Sequence, residues 1–126
     1  MPRSLRRYIK LNGCHSSTQT DALFALDIRQ TYVHREIAEQ LGDPTPCSRP
    51  TSVRVPGTSR PVAATHFIAL EFELDGRPID WSCKVADNLP YPVVIGSAMM
   101  SSSRIVLDLI NQELIVENDD PVEVLA

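Results

Sequence analysis

Leu23-Phe24-Ala25-Leu26-Asp27 is the stretch on which the reading of the whole chain depends. It supplies an apolar strand that ends on a short turn, and it is followed by a second apolar pair, Tyr32-Val33. The run His34-Arg35-Glu36-Ile37-Ala38-Glu39-Gln40-Leu41-Gly42 then reads as a brief helix. Ile37, Ala38 and Leu41 share one face, Glu36, Glu39 and Gln40 point outward, and Gly42 stands where a C-cap belongs. A second anchor lies far downstream. Pro92-Val93-Val94-Ile95-Gly96 is a short continuous apolar run, suited to an interior strand and closed by glycine.

Working outward, residues 4–12 read as a strand that ends on the turn pair Asn12-Gly13. Polar residues Ser16 to Thr20 extend the loop, and a second strand runs from Ala22 to Leu26. Asp43 to Thr51 holds three prolines in nine residues and reads as a connector. Val53 to Val62 reads as two strand arms around a Pro56-Gly57 turn. The clearest period-2 pattern follows, with His66, Ile68, Leu70, Phe72 and Leu74 on one face and Glu71, Glu73 and Asp75 on the other. Asp75-Gly76 is a hairpin signal, and Ile79, Trp81, Cys83 and Val85 repeat the alternation on the return strand. Ser97 to Met100 reads as a helical turn. Ile105, Leu107 and Leu109 alternate in the next strand, Asn111-Gln112 turns, and Leu114-Ile115-Val116 returns. This is the pattern of a mainly antiparallel β domain.

A chain of 126 residues, 43% hydrophobic and 22% charged, is expected to form one folded domain. Residues 7 to 117 form its core and 118 to 126 a tail that is acidic, then apolar. Net charge is −4 with a pI near 5.3, and no basic stripe is present, which argues against nucleic acid as a partner. Cys14, Cys47 and Cys83 are odd in number and lack CxxC spacing, so neither a disulfide framework nor a zinc site is expected. No apolar run reaches membrane-span length, and no signal-peptide h-region opens the sequence. The expectation is a soluble, intracellular, cytoplasmic chain with no membrane contact.

The ordered set of these segments resembles the retropepsin-like aspartic peptidases, the retroviral and retrotransposon-type enzymes. The resemblance covers residues 7 to 117 and runs through hairpin, triplet turn, short helix, flap hairpin, long central hairpin, Ile-Gly strand end and final hairpin. It implies an all-β, acid-protease-like closed barrel with a flap hairpin and one or two short helices. Leu23-Phe24 stands where the family has an apolar pair before its aspartate, and Glu36 to Gly42 is similar to its helix. Ile95-Gly96 is similar to its second strand-end motif, with Met99-Met100 in the following turn, and Gly57 is placed like the glycine at the flap tip.

The departure lies in the triplet, where the family has Asp-Thr/Ser-Gly and this chain has Ala25-Leu26-Asp27. In the family two chains each give one aspartate to a dyad sharing a proton, because like charges about 3 Å apart cannot both ionise cheaply. Ala25 can neither take nor give that proton. Leu26 cannot hydrogen-bond as the Thr/Ser hydroxyl does, and Asp27 replaces the glycine that lets backbones approach. The resemblance therefore implies a catalytically degenerate domain, with no catalytic residue, acting as a homodimerisation or peptide-binding module of retroelement origin. An extended peptide would be its ligand, held by strand addition. The alternative is an active aspartic endopeptidase, working through Asp27 in a register slipped by two or with an intact partner subunit. Arg29 opposes the slipped register, since it would pair with Asp27 and hold it ionised. An unrelated small β-barrel binding domain is the blander reading.

Other residues offer little chemistry. His15, His34 and His66 lack metal-ligand spacing; His34 reads as a helix-start residue and His66 as an edge-of-core strand residue. Cys14-His15 lies in a turn-rich loop with no further base indicated. Ser101 to Ser103 lack a nucleophile-elbow setting, and five glycines form no phosphate loop. Trp81 reads as core. No metal and no cofactor are expected.

Overall fold

The computed structural model of the chain describes residues 4–56 and 58–117. Nine strands and two short helices follow one another among these residues: β1 (Ser4–Asn12), β2 (Ser17–Ala25), β3 (Tyr32–His34), α1 (Arg35–Leu41), β4 (Thr45–Val53), β5 (Val62–Leu74), β6 (Arg77–Ala86), β7 (Val93–Ile95), α2 (Ser97–Ser102), β8 (Ile105–Asp108) and β9 (Glu113–Val116). The main sheet runs β1-β2-β7-β3-β6-β5-β4, and β1 also pairs with β5. That extra pairing closes six strands into a barrel and leaves β4 attached to its rim. The all-β closed barrel with two short helices is thus present.

The closing seam is β1 against β5, where Lys10, Leu11 and Asn12 face Glu73, Phe72 and Glu71. The Asn12 amide donates to Glu71 at 2.8 Å and to Glu73 at 2.6 Å, so the seam is bonded by side chains as well as backbone. Opposite it, β5 and β6 form the long hairpin that the alternation predicts, with Leu74 facing Arg77 across a two-residue turn. Asp75 (φ 52°) and Gly76 (φ 76°) both take the left-handed conformation such a tight turn requires.

Strand β7 is the axis of the fold. It lies between β2, to which it is parallel, and β3, to which it is antiparallel. Val93, Val94 and Ile95 are all completely buried, and each such burial stabilises by about 1.5–3 kcal/mol. Because side chains alternate across a strand, the sheet separates two cores. Phe24, Val93 and Ile95 enter the larger one, shared with Phe72, Leu41 and Met99 from the rest of the barrel and both helices. Leu23, Ala25 and Val94 enter a smaller cluster on the other face, completed by Ile28, Tyr32, Val55 and Val62.

Two segments differ from their sequence reading. Residues 45–51, part of the stretch expected as connector, belong to strand β4 against β5, with an irregularity in pairing between Pro46 and Thr51. Proline is tolerated there because β4 pairs on one side only, so a missing N–H need not break a ladder. The flap hairpin therefore has longer arms than expected, β4 and the start of β5, joined by 54–61. Likewise Ser17 to Thr20, expected as loop, are the paired first half of β2 facing Ile9 to Asn12. Ser17 and Gln19 are exposed there, Thr18 is half-buried and Thr20 is buried. The tail at 118–126 lies outside the described residues. Among the described residues, no helix is long and apolar enough to cross a membrane.

Candidate functional site

The β2 strand ends at Ala25, and Leu26-Asp27 form the turn that follows, closed by the Ile28 N–H donating to the Ala25 carbonyl at 3.4 Å. The chain then crosses the end of β7 before entering β3. This crossing is held by α2, whose N-cap, Gly96, has no side chain to satisfy the first amides of the helix. The loop supplies the acceptors instead. Ser97 N–H donates to the Ile28 carbonyl at 2.6 Å and Ala98 N–H to the Arg29 carbonyl at 3.0 Å.

Thr31 completes the lock. It is 1% exposed; its hydroxyl accepts from Gly96 N–H at 3.1 Å and donates to Met99 Sδ at 3.5 Å, and its carbonyl accepts from Lys84 N–H at 2.9 Å. Gly96 is required by proximity. A Cβ there would stand 2.2 Å from the Gln30 carbonyl oxygen and 2.5 Å from that of Arg29. The structure thus brings Ala25-Leu26-Asp27 and Ile95-Gly96 together, with Phe24 paired to Ile95 across β2 and β7. Gly57, the expected flap tip, lies outside the described residues. Beside it, Thr58 folds back so that its N–H (3.2 Å) and hydroxyl (2.8 Å) both donate to the Val55 carbonyl.

The three triplet positions have different surroundings. Ala25 is 2% exposed and belongs to the smaller apolar cluster, with Val55 and Val62 from the flap segment and Tyr32 beside it. Leu26 is half-buried and packs on the main core, while Asp27 is exposed in the turn. The floor beneath the flap is therefore apolar and closed by the chain's own side chains. Burial pushes the Tyr32 phenol up from its ordinary range, which keeps it neutral and adds no charge to this floor.

The remaining sequence candidates are accounted for by local structure. His34 is the N-cap of α1, its Nδ1 accepting from Glu36 N–H at 3.1 Å. His66 Nδ1 stands 2.8 Å from the Thr65 hydroxyl and 3.2 Å from an Arg35 nitrogen. Trp81 is half-buried against the main core, as the alternation implies. Cys83 is buried, Cys47 half-buried and Cys14 exposed, and all three are free thiols. Sequence reasoning marked Tyr32 only as half of an apolar pair and gave Thr31 no role at the site, because a lone threonine at a strand start carries no period or motif that tells of its buried hydroxyl.

No family model and no curated protein sequence matches the chain. Solved structures do match. The retroviral protease-like domain of Ddi1 from Leishmania major is similar over 90% of each chain, with a TM-score of 0.62 and 16% identity. EIAV protease, solved with an inhibitor, is similar over 77% of this chain and 86% of its own, with a TM-score of 0.53 and 17% identity. The chain has the retropepsin-like fold.

Proposed function

We propose that this domain is a catalytically degenerate retropepsin-like module that pairs with a second copy of itself and holds an extended peptide rather than cutting one. The observation that carries this reading is Ala25, at the end of β2, buried in an apolar cluster where an acid protease needs an ionisable, water-accessible group. Hydrolysis by this fold requires two carboxylates that share a proton and activate a water. Neither the group nor access for the water exists at Ala25, and Asp27 faces solvent from a turn two residues on. What remains useful is shape: a sheet edge and a flap arm, β4, whose outer backbone groups suit strand addition by an extended peptide. Self-pairing follows the two-fold symmetry by which such half-clefts are completed.

The test is proteolysis of a mixed denatured-protein substrate from acid to neutral pH, with and without pepstatin, beside an Asp27→Asn variant. Sedimentation is measured on the same protein. Dimers without cleavage are expected. Cleavage that pepstatin blocks and the variant lacks would overturn the reading and make Asp27 catalytic. Monomer alone at high micromolar concentration would remove the pairing.

A further inference from the structure

The tip of the β1–β2 hairpin packs against the C-terminal end of α1, and this contact is built closely. His15 N–H donates to the Leu41 carbonyl at 2.9 Å, and the Ser16 hydroxyl donates to the Gln40 carbonyl at 2.8 Å. A Cβ on Gly13 would stand 2.1 Å from the Leu41 carbonyl oxygen, so only glycine allows the two backbones to meet there. Cys14 Sγ lies over Gly42, 3.3 Å from where a Cβ on that residue would be. The result is that Cys14, His15 and Asp43, from segments far apart in sequence, present one ligand atom each, all within 4.8 Å of one another. All three residues are exposed, and His15 Nε2 is 2.9 Å from Asp43 Oδ2.

We propose that Cys14, His15 and Asp43 form a surface site for a divalent transition metal of the zinc class. A thiolate, an imidazole and a carboxylate together favour zinc over magnesium or calcium, which take oxygen ligands almost alone. Tetrahedral bonds of zinc to sulfur, nitrogen and oxygen place ligand atoms roughly 3.5 Å apart, so an ion enters by parting the 2.9 Å His15–Asp43 contact and drawing the three donors to that spacing through side-chain rotation. Exposed side chains make that rotation without disturbing the core, while the pinned backbone keeps the three donors on one side. The carbonyls at the end of α1 carry partial negative charge, which favours a cation nearby. Three protein ligands leave a fourth position to water, as in open zinc sites. Binding displaces the thiol proton to solvent. The bound ion joins the hairpin tip to the end of the helix, and the site is independent of the Ala25 region.

The experiment is titration of the reduced protein with cobalt(II), followed by displacement with zinc. One cobalt per chain is expected, with a thiolate-to-cobalt charge-transfer band in the near ultraviolet that zinc abolishes. Cys14→Ser removes the band, and Cys47→Ser keeps it. Zinc affinity falls at least about tenfold in His15→Asn and in Asp43→Asn, the lower bound for losing even an outer partner of a metal site. Zinc raises the melting temperature of the unaltered chain and leaves that of Cys14→Ser unchanged, which separates binding from misfolding of the variant. Absence of the band in the unaltered protein, or its persistence in Cys14→Ser, overturns the proposal.

Discussion

Gly96 and Thr31 hold the loop that follows Ala25, Gly96 through its backbone and Thr31 through both its hydroxyl and its carbonyl. A Gly96→Ala methyl would enter the van der Waals space of two carbonyl oxygens, 2.2 and 2.5 Å away, the second of which, that of Arg29, already accepts from Ala98 N–H. Backbone cannot yield as a side-chain tip can, so the substitution is expected to cost about 3 kcal/mol, read as a lower urea midpoint. Ala25→Asp tests the floor beneath the flap. Its carboxyl would be desolvated among Val55, Val62 and Tyr32, which raises its folded-state pKa above the unfolded value. The variant should then keep its stability at pH below the usual carboxylate range and lose it as pH rises. At neutral pH the deficit should reach at least about 3 kcal/mol relative to the unaltered chain. Thermal melts across pH check this; a deficit equal at acid and neutral pH would show that the site is not dry.

The elements differ in how far their sequence announces them. The β5–β6 hairpin is legible because its one buried and one exposed face impose period 2, and because Asp75-Gly76 suits the required backbone. The α1 helix is legible from its apolar stripe, and its anchoring adds what the stripe does not contain. Arg35 pairs with Asp87, approaches Glu39 at 3.6 Å and donates to the Thr65 hydroxyl at 3.0 Å, and Asp87 beside it holds the guanidinium above its ordinary pKa. Strand β4 was illegible. Its burial pattern is almost entirely exposed, so no apolar period marks it, and its prolines read as loop. Pairing with β5 alone stabilises it, and that pairing is interrupted between Pro46 and Thr51. Amide hydrogen exchange in β4 should therefore be faster than in β2 and β7, which lie inside the barrel. Equal protection of all three would contradict an edge strand.

At the scale of the whole molecule, closure of the barrel leaves two groups among the described residues whose titration opposes the folded state. Burial pushes the Cys83 thiol and the Tyr32 phenol above their ordinary pKa values. Each contributes stability that is complete below its unfolded pKa and is lost as pH rises beyond it, because the unfolded chain releases the proton first. Global stability should fall as pH passes about 8.5, where free thiols titrate, and fall further past about 10. The thiol step has a limiting slope of about 1.4 kcal/mol per pH unit. Denaturant melts at a series of alkaline pH values check this, and in Cys83→Ala the first step should shrink. The β8–β9 region is also tied to β1 and to the start of β6. Arg7 donates to the Gln112 carbonyl in the β8–β9 turn, and Arg77 donates to the Glu117 carbonyl at 2.6 Å.

The sequence by itself determined the β class and, β4 apart, the order of the elements, because each rests on local facts: an alternation, a turn pair, an apolar run closed by glycine. It also determined that Ala25 carries no proton to exchange. The tertiary structure alone decided that β7 lies between β2 and β3, that β5 returns to β1 and closes the barrel, and that β4 is a strand at all. It alone decided that Ala25 shares a buried cluster with Val55 and Val62, and that Cys14 and His15 meet Asp43. These are contacts between segments whose separation along the chain leaves no periodic trace. They are selected by packing and by the need to satisfy buried backbone groups, which only the folded whole makes explicit.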